Sequence, residues 1–131
     1  MLNREAYHKY MFIIAAIWNW VLAVTFFILP RIDINAFYIA GDTIPPTLLW
    51  FDGFMGLIFA FGIGFYLVSR NIRENHGLIV AACFEKVYVF LLGLFYYLLS
   101  QASIWVVAFV TVDLIFGLLF IEDLHAITKM V

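Results

Sequence analysis

Two adjacent charged side chains, Glu85 and Lys86, interrupt a stretch of the chain that is otherwise almost entirely apolar. They are the only charged residues between Gly77 and Leu99. A carboxylate and an ammonium group in such surroundings can exchange protons, accompany an ion or bind the polar group of a small molecule. Ionisable residues inside an apolar helix are costly to bury, and they are candidates for a functional site by default.

The composition predicts the elements that carry these charges. Of the 131 residues, 66% are hydrophobic and 12% are charged, whereas soluble domains contain about 25% charged residues. A helical apolar run of roughly 20 residues crosses a bilayer, and four such runs occur, at about residues 10–30, 48–69, 77–99 and 103–121. We therefore predict an all-α fold, in which residues 1–131 form one integral membrane domain of four transmembrane helices.

The basic residues predict the orientation of this bundle. Only Arg31 lies on one predicted side of the membrane, and five Lys and Arg residues lie on the other: Arg4, Lys9, Arg70, Arg73 and Lys129. Because basic loops are retained in the cytoplasm, we expect both termini there, in a multi-pass protein of the plasma (inner) membrane surrounded by lipid. No basic cluster occurs, so a nucleic-acid partner is not expected.

The polar residues within the apolar runs are predicted to meet at one depth. At 1.5 Å per residue, Glu85 and Lys86 lie roughly 12–14 Å from the cytoplasmic start of the third run. Asp113 lies about 12 Å from the cytoplasmic end of the fourth run, and Asn19 about 14 Å along the first. Asp52 is separate, about 6 Å from the outer end of the second run, where it can reach water.

The short turn between the third and fourth runs predicts the pairing within this cluster. Their helices must be neighbours, so we expect Lys86 to pair with Asp113, and Gly117 to let the two helices touch. Glu85 is rotated by about 100° from Lys86 and faces another neighbour. It either accepts a hydrogen bond from Asn19 or is protonated and neutral.

Local signals in the loops predict further details. Asp33 to Gly41 is expected to form a short helix at the membrane surface, with an irregular loop as the alternative. Pro45 and Pro46 are placed in the first turn of the second helix, where proline is tolerated. Asn71, followed three residues later by Glu74, resembles a capping box that starts the third helix.

Small residues recur at intervals of four along the second run, at Gly56, Ala60 and Gly64. Such ridges let helices approach closely within a membrane. We predict a packing seam inside the bundle, and a dimerisation face or a ligand groove is the alternative.

Other chemistry finds little support in the sequence. Cys83 is the only cysteine, so no intramolecular disulfide is expected. The three histidines, His8, His76 and His125, show no close ligand spacing, and solvated positions are the expected account of them. No metal or cofactor is expected, and no nucleophile motif or phosphate-binding loop occurs, so catalysis is left undecided, with a preference against it.

The stretch GIGFYLVSRNIRENHGLIVAACFEKVYVF, followed by VDLIFGLLFIEDL, resembles small four-helix membrane proteins of the DoxX-like group. The matching residues are Gly62, Gly64, Lys86 and Asp113, and the resemblance covers roughly the C-terminal two-thirds of the chain. It implies a four-helix bundle and an accessory role beside membrane redox complexes.

Two readings of the buried charges follow. In the first, they form a polar network that fixes the packing of an accessory or scaffold subunit, in a homodimer or a larger membrane complex. In the second, the protein is a small proton-coupled transporter or a lipid- or quinone-binding protein that uses Glu85 and Asp113. An enzyme that acts on a lipid or a quinone, with the same two carboxylates as acid and base, is a variant of this second reading. A dry, fully paired cluster favours the first reading, and a cavity that reaches Glu85 favours the second.

Overall fold

The computed structural model describes residues 3–41 and 43–130, and within them it is all-helical. Four α-helices follow one another, with a short 3₁₀ helix, Ile34–Ile39, between the first and the second. The α-helices are α1 (Arg4–Ile32), α2 (Leu49–Arg70), α3 (Ile72–Leu98) and α4 (Ile104–Met130). All four are long and apolar enough to cross a membrane, so the predicted all-α architecture of four long apolar helices is confirmed.

The helices extend beyond the apolar runs, because capping rather than hydropathy sets where a helix ends. Asn71 alone separates α2 from α3: its backbone N–H donates to the Leu67 carbonyl oxygen at 3.0 Å. Its side-chain oxygen accepts the backbone N–H of Glu74 at 3.3 Å. The predicted cap on α3 is therefore present, and the same residue also ends α2.

The predicted short helix after α1 is present, but it is 3₁₀ rather than α. The Asp33 carboxylate caps it by accepting the backbone N–H of Asn35 at 2.9 Å. Its other end is fastened to the α3–α4 loop, where the backbone N–H of Ser103 donates to the Ala40 carbonyl oxygen at 2.7 Å and the Ser103 hydroxyl donates to the Ile39 carbonyl oxygen. These bonds hold the 3₁₀ helix across one end of the bundle.

The predicted position of the two prolines is wrong. Pro45 and Pro46 precede α2, which begins at Leu49. The Thr47 hydroxyl oxygen accepts the backbone N–H of Leu49 at 3.3 Å, so the helix starts after this residue. The prolines instead belong to the irregular segment that connects the 3₁₀ helix to α2.

The four helices form two hairpins, with α1 packed on α2 and α3 packed on α4. An aromatic core joins the hairpins: the Phe120 ring stacks on Phe12 with centroids 4.7 Å apart, and it lies 5.2 Å from Phe65. We call the end of the bundle that holds Arg4 and Lys129 the terminal end, and the aromatic core lies in this half.

The small residues of α2 do not form the predicted internal seam. Gly56 and Ala60 are exposed, and a Cβ atom on Gly56 would meet nothing within 4 Å. The glycine that permits close packing is Gly62, where a Cβ atom would lie 2.5 Å from Nε1 of Trp20. Spacing identifies a ridge, but it does not say which face of the helix points inward, so the seam prediction is wrong for Gly56 and Ala60.

Because Gly62 is buried and Ala60 is exposed, a substitution to leucine should affect stability at Gly62 but not at Ala60. Gly62→Leu should lower the free energy of unfolding by about 1–3 kcal/mol because it overpacks the bundle. It must also displace the Trp20 indole, whose N–H donates to the Phe59 carbonyl oxygen at 3.3 Å. Ala60→Leu should change stability by less than about 0.5 kcal/mol. Titration with a denaturing detergent measures both, and equal losses would contradict the packing described here.

Candidate functional site

The structure brings three of the predicted polar residues into direct contact. The Lys86 ammonium nitrogen donates to Oδ1 of Asp113 at 2.7 Å and to Oδ1 of Asn19 at 2.9 Å. Lys86 and Asn19 are each 1% exposed, and Asp113 is 8% exposed. The predicted contact between Lys86 and Asp113 is therefore confirmed, and Asn19 joins it from α1.

Helix packing fixes the position of each partner. A Cβ atom on Gly117 would lie 3.0 Å from Cβ of Lys86, so this glycine allows α4 to approach α3, as predicted. Asn19 is held in turn by its own amide nitrogen, which donates to the Ile58 carbonyl oxygen of α2 at 3.1 Å. Three helices besides the one that carries Lys86 therefore determine its surroundings.

Glu85 is the least satisfied member of the cluster. Its Oε2 atom lies 3.5 Å from Nζ of Lys86, and this buried oxygen has no hydrogen-bond partner among the described residues. The hydrogen bond from Asn19 to Glu85, one of the two alternatives for this carboxyl group, is absent, and the Asn19 amide nitrogen donates to the Ile58 carbonyl oxygen. Glu85 precedes Lys86 by one position and is therefore rotated by about 100° around α3, as predicted. Its carboxyl group takes no part in the hydrogen bonds that Lys86 makes to Asn19 and Asp113.

Asp52, the fifth candidate, belongs to a different interaction. Its carboxylate accepts two hydrogen bonds from the Arg31 guanidinium, at 2.7 and 3.2 Å. Arg31 also donates to the Phe27 carbonyl oxygen and lies over the Phe27 ring. Asp52 is thus separate from the buried cluster, as predicted, and it links the end of α1 to the start of α2.

The buried polar cluster forms one end of an apolar cavity with a volume of about 190 Å³. All four α-helices contribute to its wall, and the 3₁₀ helix covers the end that lies away from the cluster. Its polar end, which we call the floor, consists of Asn19, Glu85, Lys86 and Asp113. The aromatic residues of its wall are Phe26, Phe37, Phe51, Phe54, Trp105 and Phe109.

The cavity and the aromatic core occupy opposite halves of the bundle. Every lining residue of α1 lies between Asn19 and Pro30, on the 3₁₀ side of the floor. On the other side, Lys86 Nζ lies 5.4 Å from the Phe65 ring centroid, and Phe65 belongs to the core. The core therefore separates the floor from the terminal end, while the cavity extends from the floor toward the 3₁₀ helix.

A second polar cluster lies at the terminal end, where solvated residues were predicted. His8 contacts Asp123, and the Arg4 guanidinium lies 2.7 Å from Glu122 and 3.5 Å from Asp123. His8 is 5% exposed and Asp123 is 0% exposed, so the prediction of a solvated position is wrong for His8. The helical periodicity of the sequence could have indicated that Asp123 is buried, because it follows Phe120 by three residues and lies on the same buried face of α4.

No family model matches this chain, and no curated protein or solved structure shows significant similarity to it. The resemblance to DoxX-like proteins therefore stays a prediction.

Proposed function

We propose that this chain is a four-span membrane protein that binds a small amphipathic molecule between its helices. The apolar part of the ligand fills the cavity, and its polar group reaches the floor. The observation that carries this proposal is that the apolar cavity ends at the buried cluster of ionisable side chains. Pockets for small molecules have this composition, apolar walls with a few converging polar groups.

The membrane location rests on the surface of the bundle. Large apolar side chains are exposed on every α-helix, for example Ile32 at 78%, Trp50 at 80%, Phe84 at 72% and Trp105 at 62%. A soluble monomer rarely exposes apolar surface on this scale, whereas in a membrane the same surface contacts lipid chains and is not exposed to water. The five basic residues near the terminal end support an orientation in which this end faces the cytoplasm.

A purely structural role explains the cavity less well. A network that only fixes packing satisfies its members, since a buried polar atom without a partner costs about 1–3 kcal/mol. Here Glu85 Oε2 has no hydrogen-bond partner among the described residues, and the cavity reaches this side chain. The apolar wall also argues against a hydrated ion path, which needs polar groups along its length. A binding site for a small amphipathic molecule is therefore the function that we propose.

The volume of the cavity limits the part of a ligand that it can enclose. An apolar cavity of about 150 Å³ holds one benzene molecule, and the present cavity measures about 190 Å³. A single ring with a short polar arm therefore fits, as does an alkyl segment of similar size. 2-Phenylethanol has these dimensions and serves as a neutral probe.

Filling the cavity should abolish binding. Val89 lines the cavity on α3, and Val80 is 56% exposed on the same helix. We expect Val89→Trp to reduce the affinity for 2-phenylethanol at least tenfold, because the indole occupies the ligand volume. Val80→Trp, the matched control, should leave the affinity unchanged. Equilibrium dialysis against protein in lipid nanodiscs, corrected for empty nanodiscs, measures both, and equal binding to the two variants would contradict the proposal.

A further inference from the structure

We propose that the ligand is a hydrophobic cation, a small amine with an aromatic or alkyl body, and that the Glu85 carboxylate is its counter-ion. This inference rests on the proposed function, because it concerns the ligand of the same cavity. It follows from three properties of the site: the charges of the floor, the hydrogen bonds already made there, and the chemistry of the wall.

The floor contains one more acidic group than basic groups. Glu85 and Asp113 are acidic, and among the described residues that line the cavity Lys86 is the one basic residue. The Lys86 ammonium already lies 2.7 Å from Asp113, whereas its distance to Glu85 is 3.5 Å, beyond ordinary hydrogen-bond length. Asp113 is therefore neutralised by its partner, and Glu85 is the group whose charge a ligand can balance.

The hydrogen bonds of the floor favour a ligand that donates. Both side-chain nitrogens of the floor already donate to protein oxygens, Lys86 to Asp113 and Asn19, and Asn19 to Ile58. The fully buried acceptor of the floor that lacks a donor among the described residues is Glu85 Oε2. A carbonyl or carboxylate group on the ligand would add a further acceptor beside Glu85 Oε2, whereas an ammonium group supplies the donor that Glu85 lacks.

The wall of the cavity favours a cation as well. Six of its residues are aromatic, and the faces of aromatic rings carry partial negative charge that attracts ammonium groups. The same faces repel a carboxylate. They also pack well against a second aromatic ring, so the wall accommodates the apolar body and the charged arm of one amine.

The effect of ligand charge is tested with three probes of similar size. At neutral pH phenethylamine is a cation, 2-phenylethanol is neutral and phenylacetate is an anion. Binding to the wild-type protein in nanodiscs of uncharged lipid is measured by equilibrium dialysis. We expect phenethylamine to bind roughly ten- to a hundredfold more tightly than 2-phenylethanol, the gain typical of a hydrogen bond to a charged group. Phenylacetate should bind most weakly.

Glu85→Gln tests the assigned counter-ion, because it keeps the shape of the side chain and removes its charge. It should abolish the preference for the amine and leave the affinity for 2-phenylethanol unchanged. Glu74→Gln, which removes an exposed carboxylate from the same helix, is the matched control and should preserve the preference. Glu85→Asp retains the negative charge, so this variant should also preserve the preference for the amine. It tests the role of the Glu85 charge if Glu85→Gln does not fold.

The outcomes distinguish this inference from the proposed function. Equal affinities for the amine and the alcohol, both lost in Val89→Trp, would overturn the cationic ligand and leave the binding site in place. An amine preference that survives in a folded Glu85→Gln protein would overturn the role of Glu85. If none of the three probes distinguishes Val89→Trp from Val80→Trp, the proposed binding function fails, and this inference fails with it.

Discussion

Lys86→Met should lower the free energy of unfolding by about 3–5 kcal/mol, and Asp113→Leu should do the same, because either change leaves its partner as an uncompensated buried charge. The two groups lie 2.7 Å apart and are almost fully buried. The double variant should recover much of the loss, since it removes both charges and replaces them with apolar side chains. A double-mutant cycle, measured by denaturing-detergent titration, gives the coupling directly.

The ion pair between Arg31 and Asp52 provides the matched control for this cycle. The guanidinium nitrogen and the carboxylate oxygen are also 2.7 Å apart, but the side chains of Arg31 and Asp52 are 40% and 28% exposed. Solvent screens such a pair, so Arg31→Met and Asp52→Leu should each have a far smaller effect. Additive losses from Lys86→Met and Asp113→Leu would show that these residues do not stabilise each other.

Phe120→Ala should have an effect of similar size, a loss of about 3–5 kcal/mol, through a different mechanism. The Phe120 side chain is 0% exposed, and its ring contacts Phe12, Phe65 and Phe116. Its removal leaves a cavity at the point where the two hairpins meet. Unfolding of the variant in the same detergent titration measures the loss.

Phe84→Ala is the control for the aromatic core. Phe84 is 72% exposed and stacks on Tyr88, which is also exposed. Detergent or lipid replaces its contacts, so we expect a loss well below that of Phe120→Ala. If the two phenylalanine variants unfold alike, the ring at position 120 does not join the hairpins.

The sequence predicted those features that depend on one helix or on one short turn. Apolar runs of membrane-spanning length indicated the four helices, and Asn71 indicated the start of α3. The pairing of Lys86 with Asp113 followed from the depth of each residue and from the short connection between their helices. Depth along a helix follows from the constant rise per residue, so it does not require knowledge of the tertiary structure.

Two features that depend on the rotation of one helix against another were not predicted correctly. The small residues Gly56 and Ala60 lie on the outer face of α2, and Asn19 bonds to Lys86 instead of Glu85. Both errors have the same cause: spacing shows which residues share a face, but only the packed neighbours determine where that face points. Asp123 could have been found from its place on the buried face of α4.

The cavity lay beyond sequence reasoning for a related reason. Its wall combines residues from five helical segments, and these include the 3₁₀ helix that Ser103 holds across the bundle. Neither the fold of this loop nor the hydrogen bonds from a residue more than 60 positions away can be read from a local pattern. The polar floor was predicted, and the space above it was not.

The central claim is that a small molecule binds in this cavity, and intermolecular nuclear Overhauser effects test it most directly. The protein is labelled at its valine methyl groups and saturated with 2-phenylethanol. We predict contacts from the ring protons to the methyl groups of Val89, Val106 and Val110, which line the cavity. Contacts to the exposed residues Val24 and Val80, without any to the three lining residues, would place the probe in the surrounding lipid and contradict the claim.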